Sequence, residues 1–516
     1  MTNWVKVALV LVFLAFGAGD ATPRAWPTSP PRGRCRSSST PGLWCALAAG
    51  LVAAAFVRST PVRWSLAVAL ALSAAFWHAS VQVTGGFLGY DGFISQIDAT
   101  SFVQEALRQY WPILIRAAVE SAPLLVGIGL RPRLQPSAAR AGTVIGRSPR
   151  LAAAPLLGIL LLTAVLFFRG GDGARGLPVP FVPLAYVNLA AYERLTSRTG
   201  PREPVRLPRT PGEVPYDIAL IVDESIAANY LDILVPTGVR TGLADPPPGV
   251  ALFNYGYAAS ITNCSAGVNM TLRFGGTRDD YVHMNARMPS IWSYAHAAGL
   301  ETVFIDAQRT GGMLINGMTT DELAGIDRWV QYDDVPVRDR DMAVAETLTA
   351  LFADDTPQFV YVNKMGAHFP VHDKAPDAYV RYRPALARGW YEDVADTGSR
   401  LGFGGTPGEW RRYRNSYRNV LLWSVGEFFH RLFDAGALDR AVVVYTSDHG
   451  QDLHERGNPG LNTHCGDAPA MEEGLVPLVV LQGAGLRTLD WSAHLEENRD
   501  RSSHYNIFPT LLRLMG

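Results

Sequence analysis

The chain has 516 residues and carries 46 Lys and Arg against 47 Asp and Glu, a formal net charge of -1. That length exceeds what one hydrophobic core organises and predicts at least two units, while the balanced charge, with no Lys/Arg run interleaved with aromatics, excludes a nucleic-acid partner. The four cysteines, Cys35, Cys45, Cys264 and Cys465, are too few for a disulfide scaffold and show no CxxC spacing, so any metal must use other ligands.

Five apolar stretches, 4–18, 43–57, 64–81, 110–130 and 151–168, crowd the first third of the chain. They predict a helical membrane domain over 1–168 with about five spans, although several fall short of the ~20 residues a span needs. In the fourth stretch Arg116 and Glu120 share one helical face, which fits a helix turned to a bundle or a water-filled cleft; an amphipathic surface helix is the alternative. Arg131, Arg133, Arg140, Arg147 and Arg150 follow with no acid among them and read as cytoplasmic. The loop with Asp91, Asp98 and Glu105, and everything after Phe168, then lies outside. Arg24, Arg32, Arg34 and Arg36 disagree with that topology, and the first stretch is therefore read as signal-like.

Residues 169–214 are rich in Pro, Gly and Arg and predict a connector along the membrane surface. From Tyr216 the pattern becomes buried strand, turn and helix, repeated. Ile218-Ala219-Leu220-Ile221-Val222, Thr302-Val303-Phe304-Ile305, Phe359-Val360-Tyr361-Val362 and Ala441-Val442-Val443-Val444-Tyr445 are short continuous apolar runs, with a helix expected over 290–298. Such runs alternating with helices predict an α/β/α domain over 215–516, built on a mostly parallel sheet with helices on both faces. In that architecture the site lies at the carboxyl ends of the strands.

Those ends carry the chemistry. Asp223-Glu224 follows the first run, Asn363-Lys364-Met365-Gly366-Ala367-His368 a middle one and Ser447-Asp448-His449-Gly450 a late one. Any one pair reads as a loop cap or a surface acid, but carboxylate, carboxylate and imidazole at successive strand ends suit zinc or manganese and leave a coordination position for a hydroxyl.

Tyr445-Thr446-Ser447-Asp448-His449-Gly450 resembles the Y-x-S-D-H-G-E motif of the phosphoethanolamine transferases of the bacterial inner membrane, within the alkaline phosphatase and sulfatase superfamily, with Gln451 at the final Glu. Val222-Asp223-Glu224-Ser225 resembles the family's G-E-[TS], whose Glu binds zinc; here Asp223 replaces Gly and is a candidate extra ligand. The family's nucleophile, a Thr or Ser often followed by Ala, falls at Ser265 in Asn263-Cys264-Ser265-Ala266. Ser225 is its rival by adjacency to Glu224, but on an extended strand end it should point away from that carboxylate. His368 resembles the His of G-S-H-G-P, and His464, in Asn462-Thr463-His464-Cys465-Gly466, that of L-H-G. The resemblance gives both a role in holding the phosphoryl group or a second zinc, and one of them in protonating the leaving oxygen. Lys364 is either a further phosphate contact or a plain surface lysine. Cys264 and Cys465 each adjoin a site residue, so a disulfide between the two loops and a pair of buried free thiols are both open.

The resemblance implies a multi-pass protein of the bacterial inner membrane with its catalytic domain in the periplasm. One or two zinc ions, with manganese as the alternative, would be held by Glu224, Ser265, Asp448 and His449. The implied reaction moves phosphoethanolamine from phosphatidylethanolamine to lipid A, a core sugar or another envelope glycan through phosphorylated Ser265. Alternatives are a phosphoglycerol transferase, a sulfatase or phosphodiesterase, and a non-catalytic lipid-binding envelope protein. The formylglycine motif C-x-P-S-R of sulfatases is not matched, since Ala266, Gly267 and Val268 follow the Cys264-Ser265 pair.

Overall fold

A computed structural model describes residues 3–16, 41–84, 87–98, 103–132, 149–196, 202–206, 214–368, 371–386, 406–456, 464–465 and 469–516. They form two compact units, 3–196 and 202–516.

The first unit is helical: α1 Asn3–Phe16, α2 Pro41–Ala55, α3 Thr60–Thr84, α4 Tyr90–Asp98, α5 Val103–Gly129, α6 Pro149–Phe168 and α7 Val182–Thr196. In its described residues each of the five apolar stretches is carried mainly by a helix. Residues 60–83 and 110–129 are long and apolar enough to cross a membrane, and the apolar parts of the other three are shorter. α3 and α1 pack along α5, and α2 packs on α6, around Leu47, Leu51, Trp77, Leu124 and Phe181. The first stretch thus belongs to the core of this unit. Arg116 pairs with Glu120 at 2.9 Å, and Glu120 also receives Gln82 Nε2 of α3 at 3.1 Å, which turns that face of α5 to the bundle. The arginines at 24, 32, 34, 36, 133, 140 and 147 lie outside the described residues.

Among the described residues of this unit, Lys6 and Arg63 are buried. Lys6 Nζ donates to Ile128 O at 3.2 Å and to Leu130 O, and Arg63 donates to Gly129 O at 3.0 Å and Val57 O at 2.8 Å. These carbonyls close α5 and α2, where the last turn of a helix has no acceptor partners of its own and a partial negative charge. The expected connector 169–214 is corrected by α7, whose Val182, Ala185, Tyr186 and Leu189 are core residues. Pro180 and Pro183 sit before and within the first turn of that helix, where a missing N–H costs nothing, so prolines that read as interruptions mark a helix start.

The second unit is built on β1 Asp217–Asp223, β2 Val250–Ala259, β3 Glu301–Asp306, β4 Arg328–Gln331, β5 Gln358–Asn363, β6 Ala441–Ser447, β7 Leu475–Gly483 and β8 Ser502–Ser503. They form one sheet in the order β4-β3-β5-β1-β6-β7-β2-β8. From β4 to β6 all neighbours are parallel, and β7 is antiparallel to both β6 and β2. The four apolar runs named above are β1, β3, β5 and β6. Each is buried along almost its whole length, as parallel strands covered on both faces must be.

Helices α8 Ser265–Phe274, α9 Ile291–Ala297, α10 Arg340–Phe352, α11 Pro407–Leu421, α12 Phe428–Asp434 and α13 Ile507–Leu514 complete the layers. α10, α11 and α12 cover one face through Leu348, Tyr417, Val420 and Phe428. α8, α9 and α13 cover the other through Leu272, Trp292 and Leu511. β1 is central, between β5 and β6, so their carboxyl ends open side by side.

Candidate active site

At the end of β1 the backbone turns sharply, with Ser225 at φ 59°, and Glu224 is buried there. Its Oε1 accepts Ser225 Oγ at 2.7 Å, and its Oε2 accepts Ser265 Oγ at 3.3 Å and Gln308 Nε2 at 3.1 Å. From the end of β6, His449 Nε2 lies 3.4 Å from Glu224 Oε1 and 3.7 Å from Asp448 Oδ2. Asp448 Oδ1 is taken by the backbone N–H groups of Ser225 and His449 at 3.0 and 2.7 Å. The other side of the pair is left over: Asp448 Oδ2 and His449 Nε2 are buried without a hydrogen bond among the described residues.

His464 joins them. Ligand atoms of Glu224, His449 and His464 lie within 4.8 Å of one another, and the His449 and His464 rings are 4.0 Å apart. His368 stands beside His464, with ring centroids 6.4 Å apart. Ser265 opens α8, and Cys264 before it puts no side-chain cap on the helix, so the N–H groups of the first turn are available to an anion. Cys264 is bonded to Cys465, which ties the start of α8 to the residue after His464.

A divalent cation fits this donor set. Two carboxylates, two imidazoles and a hydroxyl converge, and the two buried atoms without hydrogen bonds are a carboxylate oxygen and an imidazole nitrogen, both zinc ligands. His449 Nδ1 meets Gly450 O at 2.6 Å, which fixes the N–H on that side and presents Nε2 to the cluster. Burial disfavours the charged His449 ring, but Asp448 and Glu224 push its pKa up to about 10. Burial and Glu224 raise Asp448 to about 7. Burial and His449 together drive His464 well below the ordinary histidine range.

The structure therefore gathers Glu224, Ser265, Asp448, His449 and His464, with His368 beside them, and leaves out two candidates. Lys364 is neither at the surface nor open to a phosphate: it is fully buried, with Nζ 2.7 Å from Asp223 Oδ2. Asp223 in turn accepts Tyr445 OH on Oδ2 and the Glu224 N–H on Oδ1, so its oxygens are spent away from the cluster. Ser225 corrects the expectation in the other direction. Its positive φ breaks the extended geometry, and its hydroxyl points at Glu224 rather than away. It is fully buried, whereas Ser265 is half-buried and also faces Asp448. Gln308, just past the end of β3, was missed; its place at a strand end was the available signal. Phe369, Pro370, Asn462, Thr463 and Gly466 lie outside the described residues.

A family model described as Sulfatase matches residues 242–516, more than half of the chain. The chain belongs to the sulfatase family. No curated protein matches it. Among solved structures, the integral membrane protein lipooligosaccharide phosphoethanolamine transferase A of Neisseria meningitidis is similar over 100% of this sulfatase-family chain and 93% of its own, at TM-score 0.66 and 16% identity. The soluble domain of that protein is similar over 60% of this chain and 90% of its own, at 18% identity and TM-score 0.47. The C-terminal periplasmic domain of EcEptC from Escherichia coli, in complex with Zn, is similar over 60% and 87%, at 17% identity and TM-score 0.46. At such identities the full-length likeness is one of fold, and it takes in the helical unit as well as the α/β unit.

Proposed function

We propose that this chain transfers phosphoethanolamine from a membrane phospholipid to an envelope acceptor through a phosphorylated Ser265, with zinc held by Glu224, Asp448, His449 and the Ser265 hydroxyl. The observation that carries the reading is the pair of buried atoms, Asp448 Oδ2 and His449 Nε2, that make no hydrogen bond among the described residues and lie with Glu224 beside Ser265. When bound, zinc supplies positive charge that lowers the pKa of an adjacent hydroxyl and offsets charge on phosphoryl oxygens.

The residues of the chain do the rest. Ser265 Oγ forms a bond to phosphorus as the bond from phosphorus to the diacylglycerol oxygen breaks, and the first-turn N–H groups of α8 face the phosphoryl oxygens. The Ser265 proton passes to bulk water as the leaving oxygen takes a proton from His368 or His464, and water returns a proton to Ser265 Oγ when it leaves in the second half. In the second half an acceptor hydroxyl gives its proton to the same imidazole and attacks phosphorus, and Ser265 Oγ leaves. The reading places the protein in the bacterial inner membrane with the sheet unit in the periplasm. The Cys264–Cys465 bond supports an oxidising compartment and argues against conversion of Cys264 to formylglycine.

The test uses full-length protein with a short-chain fluorescent phosphatidylethanolamine. A burst of diacylglycerol and a phosphoethanolamine mass on the peptide holding Ser265 are expected. An adduct on Ser225, or full turnover in Ser265→Ala, sinks the assignment of the nucleophile. Release only from phosphatidylglycerol makes the enzyme a phosphoglycerol transferase, and no release from any phospholipid favours a lipid-binding protein.

A further inference from the structure

Lys364 and Asp223 have no part in the reaction above, yet both are completely buried immediately behind it. Lys364 Nζ lies 2.7 Å from Asp223 Oδ2 and 3.9 Å from Asp341 Oδ2, and 4.1 Å above the Phe428 ring. It also donates to Ser424 O, in the π-helical turn Leu422–Glu427 that joins α11 to α12. One cation is thus enclosed by two carboxylates, a carbonyl and an aromatic face.

The contacts of Asp223 lead from this cation to the metal ligand next to it. Its Oδ2 accepts Tyr445 OH at 3.0 Å, and its Oδ1 accepts the Glu224 N–H at 3.1 Å. The loop that bears Lys364 is stitched to the same strand end. Lys364 N–H donates to Val222 O at 3.0 Å and Ala367 N–H to Glu224 O at 2.9 Å, and Asp341 receives the N–H groups of Met365 and Gly366 at 2.8 and 3.0 Å. Gly366 has φ 51°, and a Cβ there would stand 2.4 Å from Asp223 Oδ1 and 2.5 Å from Glu224 O. The approach is as close as bare backbone allows.

A buried ion pair adds little to stability compared with apolar side chains of the same volume, while removing one partner leaves an uncompensated charge. What this pair supplies is geometry. We propose that Lys364 and Asp223 act together as positioning residues: the ammonium holds Asp223, Asp223 holds the backbone of Glu224, and the direction of the Glu224 carboxylate into the cluster is set from behind. The His368 loop is fixed against it by the same contacts. This inference rests on the metal reading given above.

Zinc binding by the full-length protein in detergent, read by competition with a chromophoric chelator, tests it without turnover. Lys364→Met should raise the zinc Kd by about 10- to 100-fold, the usual cost of losing a residue that orients a metal ligand. Adding Asp223→Asn, whose amide oxygen still accepts the Glu224 N–H without a charge, should recover most of that loss. A Lys364 that merely fills space would lower the melting temperature of Lys364→Met and leave Kd alone; that result overturns the proposal, as does a double variant no better than the single one. If Lys364→Met does not accumulate as folded protein, Tyr445→Phe removes one hydrogen bond to Asp223 and should raise Kd several-fold, an unchanged value again overturning the idea. Parent protein that binds no zinc removes the metal reading itself, an outcome distinct from intact zinc binding that ignores Lys364.

Discussion

In the helical unit Lys6 and Arg63 are buried as completely as any residue of the site, yet each ends on backbone carbonyls that close a helix. In the sheet unit Asp448 and His449, equally buried, end on each other and on Glu224, and keep an oxygen and a nitrogen without hydrogen bonds. The two arrangements have opposite meanings. A buried charge that ends on helix-closing carbonyls is architecture, because those carbonyls are its partners; buried charges that converge with atoms to spare carry a cost that only a further partner offsets.

The difference can be broken most sharply at His449. His449→Ala should abolish zinc retention, measured by metal analysis after gel filtration, and lower transferase turnover by roughly a thousandfold or more. Retained zinc with lost turnover would move His449 from ligand to acid–base group. Next in size is the bridge. In Cys264→Ser with Cys465→Ser, zinc should stay bound through Glu224, Asp448 and His449, kcat should fall about tenfold as His464 loses its tether, and stability should drop by about 2–5 kcal/mol. An unchanged kcat would show that His464 needs no tether.

The architectural side has its own test. Lys6→Met should lower the melting temperature in detergent by an amount equivalent to about 1–3 kcal/mol, the cost of carbonyls left without donors, with zinc content unchanged. Zinc loss in that variant would blur the distinction. The smallest effect is expected at Asp217, where burial raises the carboxyl pKa to about 7 against a hydrogen bond from the Gln358 N–H. The folded state holds this proton more tightly than the unfolded state, so its contribution is lost as pH rises from about 4 through 7. Asp217→Asn, followed by tryptophan fluorescence, should therefore melt close to the parent near pH 4 and a few degrees above it near pH 8. A gap that narrows with pH would reverse the sign.

What could be read in the sequence follows the same physics. β1, β3, β5 and β6 are uninterrupted buried runs, and residues at their ends fell into place because strand ends of a parallel sheet meet. β2 was hidden: Gly256 at φ 77° and a register shift between Asn254 and Tyr257 break its pattern. Ser225 was misread because an extended backbone was assumed where the chain turns. Lys364 defied any local reading, since what buries it, Asp223 and Ser424, lies 141 and 60 residues away. Glu224, Asp448 and His449 were legible as residue types at strand ends and Ser265 only through the resemblance, whereas their satisfied neighbours are defined only by contacts.

The Cys264–Cys465 bridge spans 201 residues, and each cysteine is the chain neighbour of a site residue. During synthesis Ser265 leaves the ribosome long before His464 exists, and on the periplasmic location proposed above the bond closes only once both reach an oxidising compartment. On the function proposed here, a copy stranded among cytosolic thiols would hold an unfastened His464 and attack lipid slowly. Closing the bridge on export would then complete the site only after the chain has left the compartment where it is made, and would spare the inner leaflet from an enzyme made next to its own substrate.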